Sequence, residues 1–113
     1  MKVVLTIWEN RISPVADSAR QLLVVDVENR TIQGKRIESL DGESVFYRAR
    51  RISDLEVDIF ICGAISVFFA SLLEGYRIRL FPFICGEAGE VLDAYLKNSL
   101  TSPRFMMAEY LDC

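Results

Sequence analysis

Three stretches of this chain, Val3–Trp8, Leu22–Val27 and Val57–Cys62, are apolar almost without a break and rich in β-branched residues. A half-buried strand alternates apolar with polar residues, whereas a strand apolar at both parities has no face to give to water. Such strands need cover on both sides, which points to an α/β fold. The length, 113 residues, suits one domain with one sheet. That domain is expected over residues 1–100. Residues 101–113 read as a C-terminal tail, with Phe105, Met106 and Met107 available to dock on the core.

The segments between the runs carry turn and cap signals. Glu9–Pro14 breaks the first run, and Pro14 biases Ser13 towards extended geometry. Glu28-Asn29-Arg30 is short and turn-tolerant, and Thr31–Ile37 then alternates, so 22–37 reads as a β-hairpin with its second strand at an exposed edge. Asp41, before Gly42, is a candidate N-cap for a helix whose apolar positions are Val45, Phe46, Ala49 and Ile52. Arg48, Arg50 and Arg51 fall mostly on the outer face of that helix. Ser66 is placed to cap a short helix running through Glu74, with Gly75 ending it. Tyr76–Phe81 alternates again. Ala88, Val91, Leu92 and Tyr95 mark a third helix, with Glu87 and Glu90 at its start and Lys97 at its end, as the helix dipole favours. The order β-β-β-α-β-α-β-α predicts a five-stranded mixed sheet with helices on both faces. The expected strand order is 3-2-1-4-5 with strand 2 antiparallel, and strands 1 and 4 lie side by side at the centre.

Composition narrows the chemistry. There is no histidine, so His-assisted serine or cysteine catalysis, His-ligated zinc and histidine proton shuttles are excluded. Three cysteines, Cys62, Cys85 and Cys113, stand at wide spacing, unlike a secreted disulfide framework or a paired zinc motif. The net charge of -3 argues against a nucleic-acid or anionic-membrane surface. No apolar run approaches the roughly 20 residues of a membrane span. Met1–Trp8 reads as a first strand and is too short for a signal peptide, so a cytoplasmic protein is expected.

In open α/β sheets ligands bind beyond the carboxyl ends of parallel strands. Three loops qualify here: Trp8–Pro14, Cys62–Ser66 and Ile84–Glu87. Cys62 and Cys85 leave neighbouring strands in equivalent Cys-Gly contexts. In the functional reading they are two soft thiolate metal ligands near helix N-termini, with Arg11 as counter-charge. In the structural reading they are small core residues ending strands. Trp8 either joins the core or walls a pocket. The helix at Val67–Glu74, with Val67, Phe68 and Phe69 in succession, carries apolar residues around too much of its circumference. It is therefore either deeply buried or exposes a patch for a partner or a second copy.

The segments Trp8-Glu9-Asn10-Arg11-Ile12-Ser13-Pro14-Val15, Leu23–Val27, Cys62-Gly63-Ala64-Ile65-Ser66, Pro82–Glu87 and Pro103-Arg104-Phe105-Met106-Met107 occur in one order along nearly the whole chain. As an ordered set they resemble the dinitrogenase iron–molybdenum cofactor biosynthesis family, the nitrogenase accessory factors of the NifX/NifB C-terminal type. The resemblance implies a three-layer α/β/α ribonuclease-H-like fold. It also implies a non-enzymatic protein that binds or carries an iron–sulfur or iron–molybdenum cofactor or precursor, partnered by a cofactor-assembly or client metalloprotein. On the three loops the candidate cofactor-binding residues are Trp8, Arg11, Ser13, Gly63, Ala64, Ser66 and Gly86, and the candidate metal ligands are Cys62 and Cys85. A homodimer through the helix at Val67–Glu74 is a further expectation. Better-known carriers of this type use a histidine, which this chain lacks, and Ala108–Asp112 separates the closing motif from Cys113.

Two rival readings stand beside this one. A ribonuclease-H-like nuclease needs carboxylates converging on divalent metal, and strand 1 carries none. A thiol enzyme needs a base near Cys62 or Cys85, and no histidine exists to serve. The other rival is a small ligand-sensing or protein-interaction module of the same fold without a metal cluster.

Overall fold

The structure, a computed structural model, describes residues 1–42, 44–100 and 103–107. β1 (Lys2–Trp8) turns back through Glu9 and Asn10 into the two-residue β2 (Arg11–Ile12). A 3-10 turn at Ala16–Ser18 leads to β3 (Gln21–Glu28), which forms a hairpin with β4 (Thr31–Ser39). Asn29 and Arg30, the two residues of that hairpin loop, both have positive φ. Such a turn matches the right-handed twist of the strands. Then follow α1 (Val45–Asp54), β5 (Ile59–Ile61), α2 (Val67–Gly75), β6 (Arg79–Phe81), α3 (Ala88–Leu96) and a 3-10 turn at Pro103–Phe105.

The sheet corrects the expected strand count: among the described residues it has six strands, not five. Its path runs β4-β3-β1-β5-β6, and β2 pairs with β1 off that path. A two-residue strand has no alternation to betray it, so β2 was not expected. β3 is antiparallel to both β1 and β4, whereas β5 and β6 run parallel to β1. β1 and β5 are neighbours, with Val3, Val4 and Leu5 opposite Ile59, Phe60 and Ile61.

The double-faced strands divide the core in two. Val3, Leu5, Val25, Ile59 and Ile61 pack with Ala88, Val91 and Leu92 of α3. Val4, Leu22, Val24, Phe60 and Cys62 pack with Ala49 and Ile52 of α1 and with Phe69 and Leu73 of α2. One helix layer therefore lies on each face of the sheet. Each large side chain buried in this way contributes about 1.5–3 kcal/mol.

Several local expectations change. The strand expected over Tyr76–Phe81 is confined to Arg79–Phe81, because Tyr76 caps α2 and Arg77 takes a positive φ to leave it. The N-cap position of α1 is Ser44 rather than Asp41, and its side chain makes no capping hydrogen bond. Arg48, expected outside, is buried. Its guanidinium donates from Nε to the Gly42 carbonyl at 2.9 Å and from Nη1 to the Ala19 carbonyl, so it ties α1 to two loops. Burial pushes its pKa below the usual value, with Asp17 opposing the shift. Phe46, expected in the buried stripe, is 62% exposed. Beyond residue 100, Phe105 is buried among the α3-side core residues, and Ile84 and Met106 form a β-bridge, so this part of the closing motif docks on the core. Residues 108–113, including Cys113, lie outside the described residues.

Candidate functional site

Because β1, β5 and β6 are parallel, Trp8, the loop after Ile61 and the loop after Phe81 all leave the same edge of the sheet. The loops are zipped together by backbone bonds. The Ile12 N–H donates to the Gly86 carbonyl at 2.9 Å and the Ala88 N–H to the Asn10 carbonyl at 2.8 Å, with Arg11 and Glu87 forming a bridge. On the other side the Ala64 N–H donates to the Pro14 carbonyl and the Ala16 N–H to the Ala64 carbonyl.

Within this weave lies a cavity of about 140 Å³ lined by Trp8, Arg11, Ile12, Pro14, Cys85, Gly86 and Met107. It brings together four residues expected in the site: Trp8, Arg11, Cys85 and Gly86. Trp8 is 61% exposed, so it walls the cavity instead of joining the core. Arg11 is exposed and, among the described residues, forms no ion pair. Gly86 has φ 126°, a conformation open to glycine, while a Cβ there would only reach ordinary contact with Val91 and Phe105, so the backbone angle and not lack of space calls for the glycine. The Cys85 N–H donates to the Phe105 carbonyl at 2.8 Å, which holds the closing segment against the site.

The remaining expected residues serve the scaffold. Ser13 is buried, its N–H bonded to the Thr6 carbonyl. A Cβ on Gly63 would sit 2.5 Å from the Ser13 carbonyl oxygen and 2.6 Å from that of Pro14. The glycine therefore makes room for the chain's own loop and not for a ligand. Ala64 is engaged through its backbone, as above. The Ser66 Oγ caps α2, accepting from the Phe69 N–H at 3.1 Å. The Ser66 N–H and Oγ in turn donate to the Asp17 carboxylate at 2.9 and 2.6 Å. At α3 the Glu87 carboxylate accepts from the N–H groups of Gly89 and Glu90. Both helix N-termini are thus answered by carboxylates of this chain, and an anionic ligand is left to Arg11.

Cys62 is fully buried in the core shared with α1 and α2, and it does not line the cavity. Burial, with Asp17 adding to it, pushes its thiol pKa up to about 12. A thiol so desolvated is not a thiolate at neutral pH. Among the described residues no three Cys, Asp or Glu side chains converge as a metal-binding group. The donor set therefore does not fit an iron–sulfur cluster held jointly by Cys62 and Cys85. Ile12, Pro14 and Met107 were not among the expected site residues. Ile12 and Pro14 lie inside the Trp8–Val15 motif and Met107 in the closing motif, which was the available signal.

No protein-family model matches the sequence, and no curated protein does. Solved structures do match. The crystal structure of PH0822 superposes with a TM-score of 0.83 at 15% identity, covering 97% of this chain and 96% of that one. The crystal structure of a "putative dinitrogenase" from Methanocaldococcus jannaschii has a TM-score of 0.76 at 16% identity, covering 89% of this chain and 92% of that one. The NMR structure of the same protein has a TM-score of 0.65 at 15% identity, covering 98% and 95%. At these identities what the chain shares with them is the fold, over nearly the full length of each.

Proposed function

We propose that this chain is a non-enzymatic accessory protein of the dinitrogenase-related type, which takes an anionic, polarisable cargo at the Trp8–Arg11–Met107 cavity. Helices on both faces of one mixed sheet, the layering a ribonuclease-H-like fold requires, support the relationship together with the ordered motifs and the structural neighbour described as a "putative dinitrogenase". The observation that carries the reading is the make-up of the cavity wall. An exposed indole and a thioether offer polarisable surface, and one cation without an ion-pair partner among the described residues offers charge. Among the described residues no carboxylate lines the cavity, so none of them stands as a general base beside a bound molecule, which favours carriage over catalysis. A cofactor precursor is carried here as cargo with its own ligands in place, docking against the wall without being ligated by Cys62.

Trp8 is the only tryptophan, so its fluorescence reports on this site alone. Anaerobic titration with a preassembled, thiolate-ligated iron–sulfur cluster is expected to quench it saturably. Arg11→Ala weakens the binding roughly tenfold, the loss of one charge-assisted contact of about 1.4 kcal/mol. Cys62→Ala leaves it unchanged. Quenching no stronger than that of free tryptophan amide overturns the reading.

One observation favours a second reading, the protein-interaction module. Val67 is 83% exposed, and Phe68 meets the exposed Phe46 edge-on with ring centroids 5.0 Å apart. That aromatic pair bridges α1 and α2 on the surface, a place for a cofactor-assembly or client protein to dock.

A further inference from the structure

Strand β4 leaves the sheet open along its length. It is nine residues long, and among the described strands only β3 pairs with it. Only Gly34 and Glu38 are partly covered; the rest of the strand is exposed, and the Ile37 side chain is 60% exposed. Backbone parity shows which groups face outward. The Val27 N–H turns to the Met1 carbonyl on the β1 side, and the Leu40 N–H turns to the Arg20 carbonyl on the β3 side. From Arg36 onward the even residues of β4 therefore bond to β3, with Arg36 opposite Val24 and Glu38 opposite Leu22. The N–H and C=O groups of Lys35, Ile37 and Ser39 point off the sheet. The Ser39 carbonyl takes a long 3.3 Å hydrogen bond from Arg51, the kind of contact a strand N–H displaces.

We propose that this edge pairs with the same edge of a second copy, antiparallel about a two-fold axis through Ile37, so that one sheet runs across a weak dimer. A symmetric antiparallel pairing must be centred on a residue, because centring between residues sets opposite faces against each other. Centring on Lys35, Arg36 or Glu38 places like charges face to face. Centring on Gly34 places the irregular part of the ladder, where the register shifts opposite Asp26 and Val27, in the middle.

The register centred on Ile37 has neither fault. It sets Ile37 on Ile37 through outward-facing backbone groups, and Lys35 on Ser39 of the second copy. It also sets each Arg36 on Glu38 of the other copy, in the non-hydrogen-bonded pair where side chains approach closest. Glu38 already gathers Arg36 at 2.9 Å and Arg51 at 3.7 Å within its own chain, so the charges that meet across the axis extend an existing network.

Sedimentation velocity over a concentration series tests this on the full chain. The unmodified protein is expected to form a reversible dimer. Arg36→Glu and Glu38→Arg, each confirmed as folded by circular dichroism, are expected to stay monomeric, because each opposes like charges across the axis. Mixing the two variants is expected to restore association, since the new glutamate of one then faces the new arginine of the other. A rearrangement confined to one chain cannot produce rescue on mixing. An unmodified protein that is monomeric throughout, single variants that associate undiminished, or a mixture that remains monomeric would each overturn the proposal.

Discussion

At Cys62 position outweighs residue type. Its place before Gly63 at the end of an apolar run suits a ligand thiolate, yet its side chain belongs to the core between the sheet and α1 and α2. The cost of charging it there sets a measurable pH dependence. With the pKa raised from 9.0 to about 12, the folded state holds the thiol proton over a range in which the unfolded chain has lost it. The corresponding stability is fully present below pH 9 and is lost as pH rises towards 12, at up to about 1.4 kcal/mol per pH unit. Denaturant unfolding of the protein and of Cys62→Ala at several alkaline pH values should show their stability difference shrinking as pH rises. A difference constant with pH would place the thiol in a polar setting. Arg48 shows the same principle with opposite charge: read by helical period it belongs outside, but two backbone carbonyls satisfy it inside.

α2 separates neighbouring residues of like chemistry into different tasks. Phe69 is fully buried against the sheet, while Phe68 and Val67 face outward. Phe69→Ala should cost about 3–5 kcal/mol in denaturant unfolding, as removal of a buried aromatic does. Phe68→Glu should change stability by no more than about 1 kcal/mol while weakening capture of a client protein. A large loss of stability from Phe68→Glu would assign that ring to the core. Ser66 explains why the helix starts where it does, since its hydroxyl serves as both cap and donor to Asp17. The cap was legible from residue type and spacing. The carboxylate that answers it, 49 residues away in sequence, was not.

The molecule as a whole is two cores on one sheet, and the closing segment belongs to one of them. Phe105 packs with α3-side residues, its carbonyl accepts the Cys85 N–H, and Met107 completes the cavity wall. Phe105→Ala should therefore cost about 3 kcal/mol or more in denaturant unfolding and also weaken cargo binding at Trp8. Unchanged stability would show the segment to be a loose tail. The apolar runs, the hairpin at Asn29-Arg30 and the start of α2 follow from the sequence alone, because strand parity, turn chemistry and caps depend on residues a few positions apart. The cavity does not follow in that way. Gly63 accommodates the Ser13 and Pro14 carbonyls, the Glu87 backbone forms a β-bridge with that of Arg11, and Cys62 turns into one core while Cys85 lines the site. These pairings join segments far apart in the chain, and only the order and direction of strands in the folded sheet bring them within reach of one another.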